Sequence, residues 1–229
     1  FKQKTAYEIS LGLVGSEMCI ETDIAIGYLT GKATGKLFRV NPNIPLIFVA
    51  SVIPDADILI PGLVHRGPTH SIILITLIFL PLFILYRGKV LPYFIAVTQH
   101  PLIGDYITGG TKLLYPLTEN YYGLHVNVES RINIATEWTF FLLSTLVLIE
   151  TKDLESLFRP HRTHMLLAIP LLSLLLPTLA KFPTYVPKEL FIPHIAYILV
   201  CVASILIDVK ASVKNLRKHR PNTFFGTHR

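Results

Sequence analysis

The stretch PDADILIPGLVHRGPTHS, residues 54–71, places seven polar side chains within eighteen positions that apolar sequence surrounds: Asp55, Asp57, His65, Arg66, Thr69, His70 and Ser71. Carboxylate oxygens and imidazole nitrogens are the ligand mixture that suits zinc or another divalent first-row metal. Polar groups at this density are costly in apolar surroundings unless they are paired or bound to a metal. The pattern therefore predicts a metal site, and the alternative is a solvated loop.

The composition predicts a membrane protein. The 229 residues are 51% hydrophobic and only 16% charged, with a mean hydropathy of +0.51, whereas soluble domains carry about 25% charged residues. We expect an all-α, polytopic membrane bundle of about 5–7 helices, several of them short or re-entrant, because several apolar stretches fall below the roughly 20 residues of a full span. The two cysteines, Cys19 and Cys201, predict neither a disulfide framework nor a thiolate metal site.

The two ends of the chain differ from the middle. Within residues 1–20, KQKTAYEI and GLVGSEMCI resemble the translation of a sequencing-library adapter, which predicts a non-native artefact whose removal leaves folding and insertion intact. The alternative is a genuine polar N-terminus. The predicted membrane domain covers residues 21–209. The basic tail, residues 210–229, predicts a cytoplasmic C-terminus and contact with anionic lipid headgroups, with nucleic acid a weaker alternative.

Glycine spacing and apolar stretches predict the helices. Gly27, Gly31 and Gly35 share one face of a first helix, which we expect to pack closely on a neighbour and to end near Arg39. The chain then breaks at the Asn-Pro-Asn of residues 41–43. Six apolar stretches follow, at residues 44–53, 72–86, 90–106, 134–149, 165–179 and 190–207.

Positive charge predicts the orientation of these helices. The basic connections are residues 87–89, 152–162 and 210–220, and alternate crossings place all three in the cytoplasm. The loops 61–70 and 109–133 are then expected to lie together on the opposite face.

A second polar group interrupts the apolar sequence QHPLIGDYITGG, residues 99–110. On an ideal α-helix His100 and Asp105 are about 140° apart, so they share a face only if the helix is distorted. Pro101 removes a backbone donor and can supply that distortion. The alternative is that each residue caps a helix without a metal. Glu137, expected at the start of an apolar helix, is a further candidate ligand unless it only compensates the helix dipole.

The strings PDAD and HRGPTHS, with the later His…Asp pair followed by Gly and YPL, resemble the YdjM-like family of inner-membrane proteins. The resemblance covers about residues 23–123, and HRGPTHS is its most specific part. It implies a metal-dependent hydrolase, of a type sometimes described as LexA-binding and related to all-helical zinc phospholipases C and nucleases. The positions that match the family's polar set are Asp55, Asp57, His65, His70, His100 and Asp105.

Two departures from the family pattern affect this assignment. The family has a His near the start of its first helix, where this chain reads Glu21, Thr22 and Asp23, so Asp23 is the implied replacement ligand. The family's His…Asp spacing is four residues, whereas His100 and Asp105 are five apart, which leaves their joint role open.

Residues and resemblance together predict a membrane-bound hydrolase of a phosphoester. A lipid-linked substrate is one option, because the site would lie near the membrane surface. The expected ion is zinc, which polarises phosphorus and acidifies a water, with Asp57 or Asp105 as general base. Thr69, His70 and Ser71 open the helix beginning near Ile72, and Thr69 is of a residue type that caps helices well. The free N–H groups of a helix start suit a phosphate. Arg66 is expected to hold the same phosphate with two hydrogen bonds.

The alternative function is a non-enzymatic membrane scaffold or transporter-like bundle, in which the His/Asp cluster binds a structural metal or conducts ions. Transport favours ionisable groups paired at mid-depth in several spans. Here they cluster at helix ends near two loops, which favours a catalytic pocket. Either function predicts a multi-pass protein of the inner (cytoplasmic) membrane.

Overall fold

The computed structural model describes residues 20–179 and 186–218, and it confirms the all-α prediction for them. The segment 1–19, which includes Cys19, and residues 219–229 of the basic tail lie outside this range. Ile20 is buried and begins the first helix, so this last residue of the predicted artefact belongs to the folded part. The helices are α1 (Ile20–Leu37), α2 (Ile44–Val52), α3 (Ile72–Tyr86), α4 (Leu91–Gln99), α5 (Asp105–Thr108), α6 (Arg131–Glu150), α7 (Asp153–Leu157), α8 (Ala168–Leu179) and α9 (Phe191–Lys218).

α1 is the central helix and packs against α2, α4 and α6. Its glycine face makes the close approach that the spacing predicts. A Cβ added at Gly27 would lie 1.9 Å from Ser51 Oγ, and one at Gly31 would lie 3.0 Å from Ile47 Cδ1. The predicted break at residues 41–43 is confirmed. Asn43 caps α2 by accepting a hydrogen bond from the Leu46 N–H.

α3 and α4 form a hairpin. Phe83 and Phe94 would be about 16 Å apart along one straight helix at 1.5 Å per residue, but their ring centroids lie 5.3 Å apart. The chain reverses in the 3₁₀ turn Arg87–Val90, where Arg87 adopts a positive φ of 51°. Both hairpin helices are therefore short, as expected. Within the described residues, the segments long and apolar enough to cross a membrane are Ile72–Thr108, Arg131–Glu150 and Lys188–Asn215.

The loops 61–70 and 109–133 lie together at one end of the helices, which confirms that part of the predicted arrangement. The Lys112 N–H donates to the Arg66 carbonyl at 3.1 Å, and the Ile72 N–H donates to the Leu113 carbonyl at 3.0 Å. The turn Arg87–Val90 lies at the other end of α3.

α6 begins earlier than its apolar stretch suggests. Ser130 caps the helix by accepting a hydrogen bond from the Asn133 N–H, so Glu137 lies in the second turn rather than at the helix start. Because a helix dipole acts within the first turn, the dipole alternative for Glu137 is wrong.

We expect Gly27→Ala to lower the free energy of unfolding by about 1–3 kcal/mol, because the added methyl group overlaps Ser51 and must separate α1 from α2. Gly88→Ala is the matched control, since a Cβ there meets no atom within 4 Å. Thermal unfolding of both variants in the same detergent measures the difference. Equal shifts would show that the α1–α2 approach is not tight.

Candidate metal centre

Four buried side chains bring ligand atoms together at the loop end of the helices. Asp55 lies in the 3₁₀ turn Ile53–Leu59, His70 immediately precedes the residue that caps α3, and His100 and Asp105 follow α4. His70 Nε2 lies 3.3 Å from Asp55 Oδ1 and 3.0 Å from Asp105 Oδ2. His100 Nε2 lies 3.1 Å from Asp55 Oδ1 and 3.3 Å from Asp105 Oδ2. We call these four residues the inner group.

The spacing of the inner group fits a small tetrahedral cation. Bonds of about 2.0–2.1 Å in tetrahedral geometry put ligand atoms about 3.3 Å apart, and the four alternating nitrogen–oxygen distances are 3.0–3.3 Å. Asp55 Oδ2 is also buried without a hydrogen-bond partner in the described part of the chain. Two imidazoles and two carboxylates are the ligand types of zinc and related divalent metals. The residues present therefore fit a metal.

A π-turn places His100 and Asp105 on the same side. Residues His100–Gly104 form the turn, in which the Asp105 N–H donates to the His100 carbonyl five residues earlier. A π-turn widens the helix by one residue, so a five-residue spacing aligns as a four-residue spacing does in an ordinary α-helix. The predicted distortion at Pro101 is confirmed. It also reconciles the five-residue spacing with the family's four.

A carboxylate lies behind each ring of the inner group. Asp23 Oδ2 is 3.1 Å from His100 Nδ1, and Asp57 Oδ2 is 3.4 Å from His70 Nδ1. Each contact is on the ring nitrogen that faces away from the inner group. Carboxylates in this position fix ring orientation and raise the basicity of the metal-facing nitrogen. Asp23 reaches His100 through a gap at Gly104, where a Cβ would lie 2.1 Å from Asp23 Oδ1.

His65 and Asp57 form a neighbouring group that shares His70. The ligand atoms of these three residues also lie within 4.8 Å of one another, and His65 Nδ1 is 3.0 Å from Asp57 Oδ1. The side chain of His65 is 16% exposed, whereas the carboxylates and rings of the inner group are at most 6% exposed. The metal centre is therefore most accessible at His65. All six residues predicted as the main ligands converge.

Charges within the site stabilise one another. Burial lowers the pKa of His70, but Asp105, Asp55 and Asp57 raise it more strongly, to about 10. Burial raises the pKa of Asp57, but hydrogen bonds with His65 and His70 bring it down to about 2. The pKa of Asp55 also falls well below its usual value, because His100 outweighs burial. A divalent ion that binds here must therefore displace ring protons.

The three predicted phosphate-binding residues have protein partners. Arg66 is buried, and its Nη2 donates to Asp105 Oδ1 at 2.8 Å. The Thr69 hydroxyl donates to Asp57 Oδ2 at 2.7 Å. Ser71, rather than Thr69, caps α3, since its Oγ accepts from the Leu74 N–H and donates to the Tyr115 carbonyl. The prediction of Thr69 as the cap is wrong, and Ser71 has a structural role.

Glu137 and Asp23, the tentative ligands, lie outside the inner group. Glu137 accepts a hydrogen bond from the Thr22 hydroxyl of α1. His194, which is absent from the predicted ligand set, is buried on α9 against Glu21. An ionisable residue within an apolar helix is itself a signal of such a contact. His125 is exposed.

The fold and the site define the class: an all-helical protein with membrane-length apolar segments and a buried His/Asp group able to hold a metal. The chain belongs to the YdjM inner membrane protein family, whose model matches residues 18–157. This match contains all six converging residues. No curated protein and no solved structure matches the chain.

We expect Asp23→Asn to weaken metal binding by about 10- to 100-fold, the usual effect of losing a carboxylate behind a ligand histidine. Competition with a chelator on the purified protein measures the dissociation constant. Glu150→Gln, an exposed change of the same type, is the control. If Asp23→Asn lost the metal completely, as we expect of His100→Ala, Asp23 would be a ligand. An unchanged affinity would show that the contact between Asp23 and His100 does not contribute to metal binding.

Proposed function

We propose that this protein is a membrane-bound, metal-dependent hydrolase of a phosphoester. The observation that carries the proposal is the convergence of two imidazole nitrogens and two carboxylate oxygens at 3.0–3.3 Å in a buried site. Membership of an inner membrane protein family supports a reaction at a lipid bilayer.

The inner group would hold the ion, and zinc is the ion we propose. A bound zinc supplies Lewis acidity for a phosphoester and a more acidic water. The ring nitrogens of His70 and His100 are aligned for this role, because Asp57 and Asp23 hold the opposite sides of the rings.

The residues around His65 supply the remaining functions. Asp57 is buried but contacts His65, the most exposed residue of the site, and Thr69, so it is the carboxylate that we assign as general base. Asp105 remains the alternative base. Arg66 is proposed to bind a phosphate oxygen beside Asp105, since a guanidinium can serve a carboxylate and a phosphate at once through its five N–H groups.

The location of the site supports a lipid-linked substrate. The candidate ligands occupy helix ends and the loop 61–70, and the loop 109–133 lies beside them. In a membrane bundle such helix ends and loops lie near the bilayer surface. We propose a multi-pass arrangement with a cytoplasmic C-terminus. The positive charge of the connections supports this orientation.

A non-enzymatic protein with a structural metal is the second candidate, and one observation favours it. Structural zinc sites have four protein ligands, whereas catalytic sites keep one position open. The inner group already offers four donors. Hydrolysis therefore requires either an expanded coordination shell or an ion held at Asp57 and His65.

Metal content and activity of the same preparation separate the two candidates. The detergent-purified protein is expected to contain a divalent metal and to hydrolyse p-nitrophenyl phosphate or bis(p-nitrophenyl) phosphate. The double variant His65→Ala, His70→Ala should lose the metal and the activity, because it removes ligands of both groups. His125→Ala, an exposed histidine in a nearby loop, should lose neither. Bound metal without turnover would favour the structural candidate, and absence of metal would contradict both.

Arg66→Lys tests phosphate recognition. Lysine keeps the charge but loses the planar fork, so we expect phosphoester activity to fall at least tenfold while metal content stays constant. Assays of turnover and of metal on one sample give both quantities. Loss of metal together with activity would mean that Arg66 chiefly positions Asp105, and full activity would remove it from the site.

A further inference from the structure

An apolar groove of about 950 Å³ lies between α2, α3 and α4. Residues at helical spacing on each of the three helices line it, among them Leu46, Val49, Ile53, Ile78, Leu82 and Tyr93. Ligand sites usually occupy about 300–1,000 Å³, so the groove is large enough for a hydrocarbon chain. It follows the 15 residues of α3, a length of about 22 Å, and this exceeds one leaflet of a hydrocarbon core about 30 Å thick.

The two ends of the groove differ in charge. Thr69 and Pro54 line the end next to the metal centre, whereas Arg39 and Lys89 line the opposite end. Lys89 also lines an adjoining cavity of about 370 Å³ together with Arg87. The ion pairs of lysine and arginine in the described residues involve none of these three cations. Their charge is therefore available to a ligand.

The cationic end has the character of a membrane interface. Leu37 and Phe38, immediately before Arg39, are 77% and 52% exposed, and exposed Tyr86 lines the groove beside Lys89. Exposed apolar residues next to tyrosine and cations are typical of the headgroup boundary. A basic site between helices at this depth binds the phosphate of anionic lipids.

From this charge and shape we infer that the groove binds one anionic phospholipid, with its phosphate at Arg39 and Lys89 and an acyl chain along α3 toward Thr69. The inference goes beyond the proposed hydrolysis, because the headgroup lies at the end of α3 opposite to the metal centre. Such a lipid is a bound component of the protein and not its substrate.

Native mass spectrometry of the full chain in detergent tests the inference with dioleoyl phosphatidylglycerol and dioleoyl phosphatidylcholine, which share chains and differ in headgroup charge. We expect the wild-type protein to prefer phosphatidylglycerol about 25-fold, because each of the two cations contributes roughly fivefold. In the double variant Arg39→Gln, Lys89→Gln the preference should fall by roughly fivefold per cation, the effect of a basic residue near an anionic surface. The control double variant Lys152→Gln, Arg162→Gln removes two cations elsewhere, and its preference for phosphatidylglycerol should equal that of the wild type.

A second pair of variants tests the position of the acyl chain. Leu82→Trp fills the groove and should weaken binding of both lipids, whereas Leu77→Trp, on the same helix but outside the groove lining, should not. Elution volume and thermal unfolding identify any misfolded variant, and Val49→Trp then replaces Leu82→Trp.

Equal binding of both lipids by the wild type would overturn the inference. So would unchanged binding in the groove variants. A preference that survives the Arg39, Lys89 change but is lost with Leu82→Trp would place the headgroup at the metal end, as a substrate would sit, and would also overturn it.

Discussion

The electrostatic cost of burying the inner group governs this structure. Asp55, His70, His100 and Asp105 are all within 5% of complete burial, and such groups are tolerated in an apolar bundle only when paired or metal-bound. Several local features serve that requirement. The π-turn brings His100 and Asp105 to one side, and Gly104 leaves room for Asp23. The 3₁₀ turn after α2 places Asp55 against Nε2 of His70 and Asp57 against Nδ1 of the same ring.

Much of the fold and of the ligand set is predictable from the sequence. The six apolar stretches, the break at residues 41–43 and the glycine face of α1 correspond to helices, a capped turn and a close contact. The dense polar stretch and the His100–Asp105 pair identify the six residues that converge in the candidate metal centre. The starts of the helices are less predictable, because local backbone geometry determines that Ser71 and Ser130 are the caps. The role of Asp23 depends on which imidazole nitrogen it meets, and only tertiary packing determines that.

The inner group and the neighbouring group divide the requirements of a metal centre between them. In a metal centre built from these residues, the inner group would supply affinity, since it is buried and a carboxylate contacts the far side of each ring. His65 would supply access, because its side chain is 16% exposed whereas that of Asp57 is buried. Thr69 and His70 connect the two groups, so a change at either residue would affect both.

The start of α1 has a consequence for biosynthesis. Its consecutive residues Glu21, Thr22 and Asp23 contact α9, α6 and the end of α4 respectively. The partner of Glu21, His194, is 173 residues away, and a segment of this length takes roughly 9–35 s to synthesise at 5–20 residues per second. α1 is therefore synthesised long before Glu21 can pair with His194. The docking of α1 is complete only after α9 has been made.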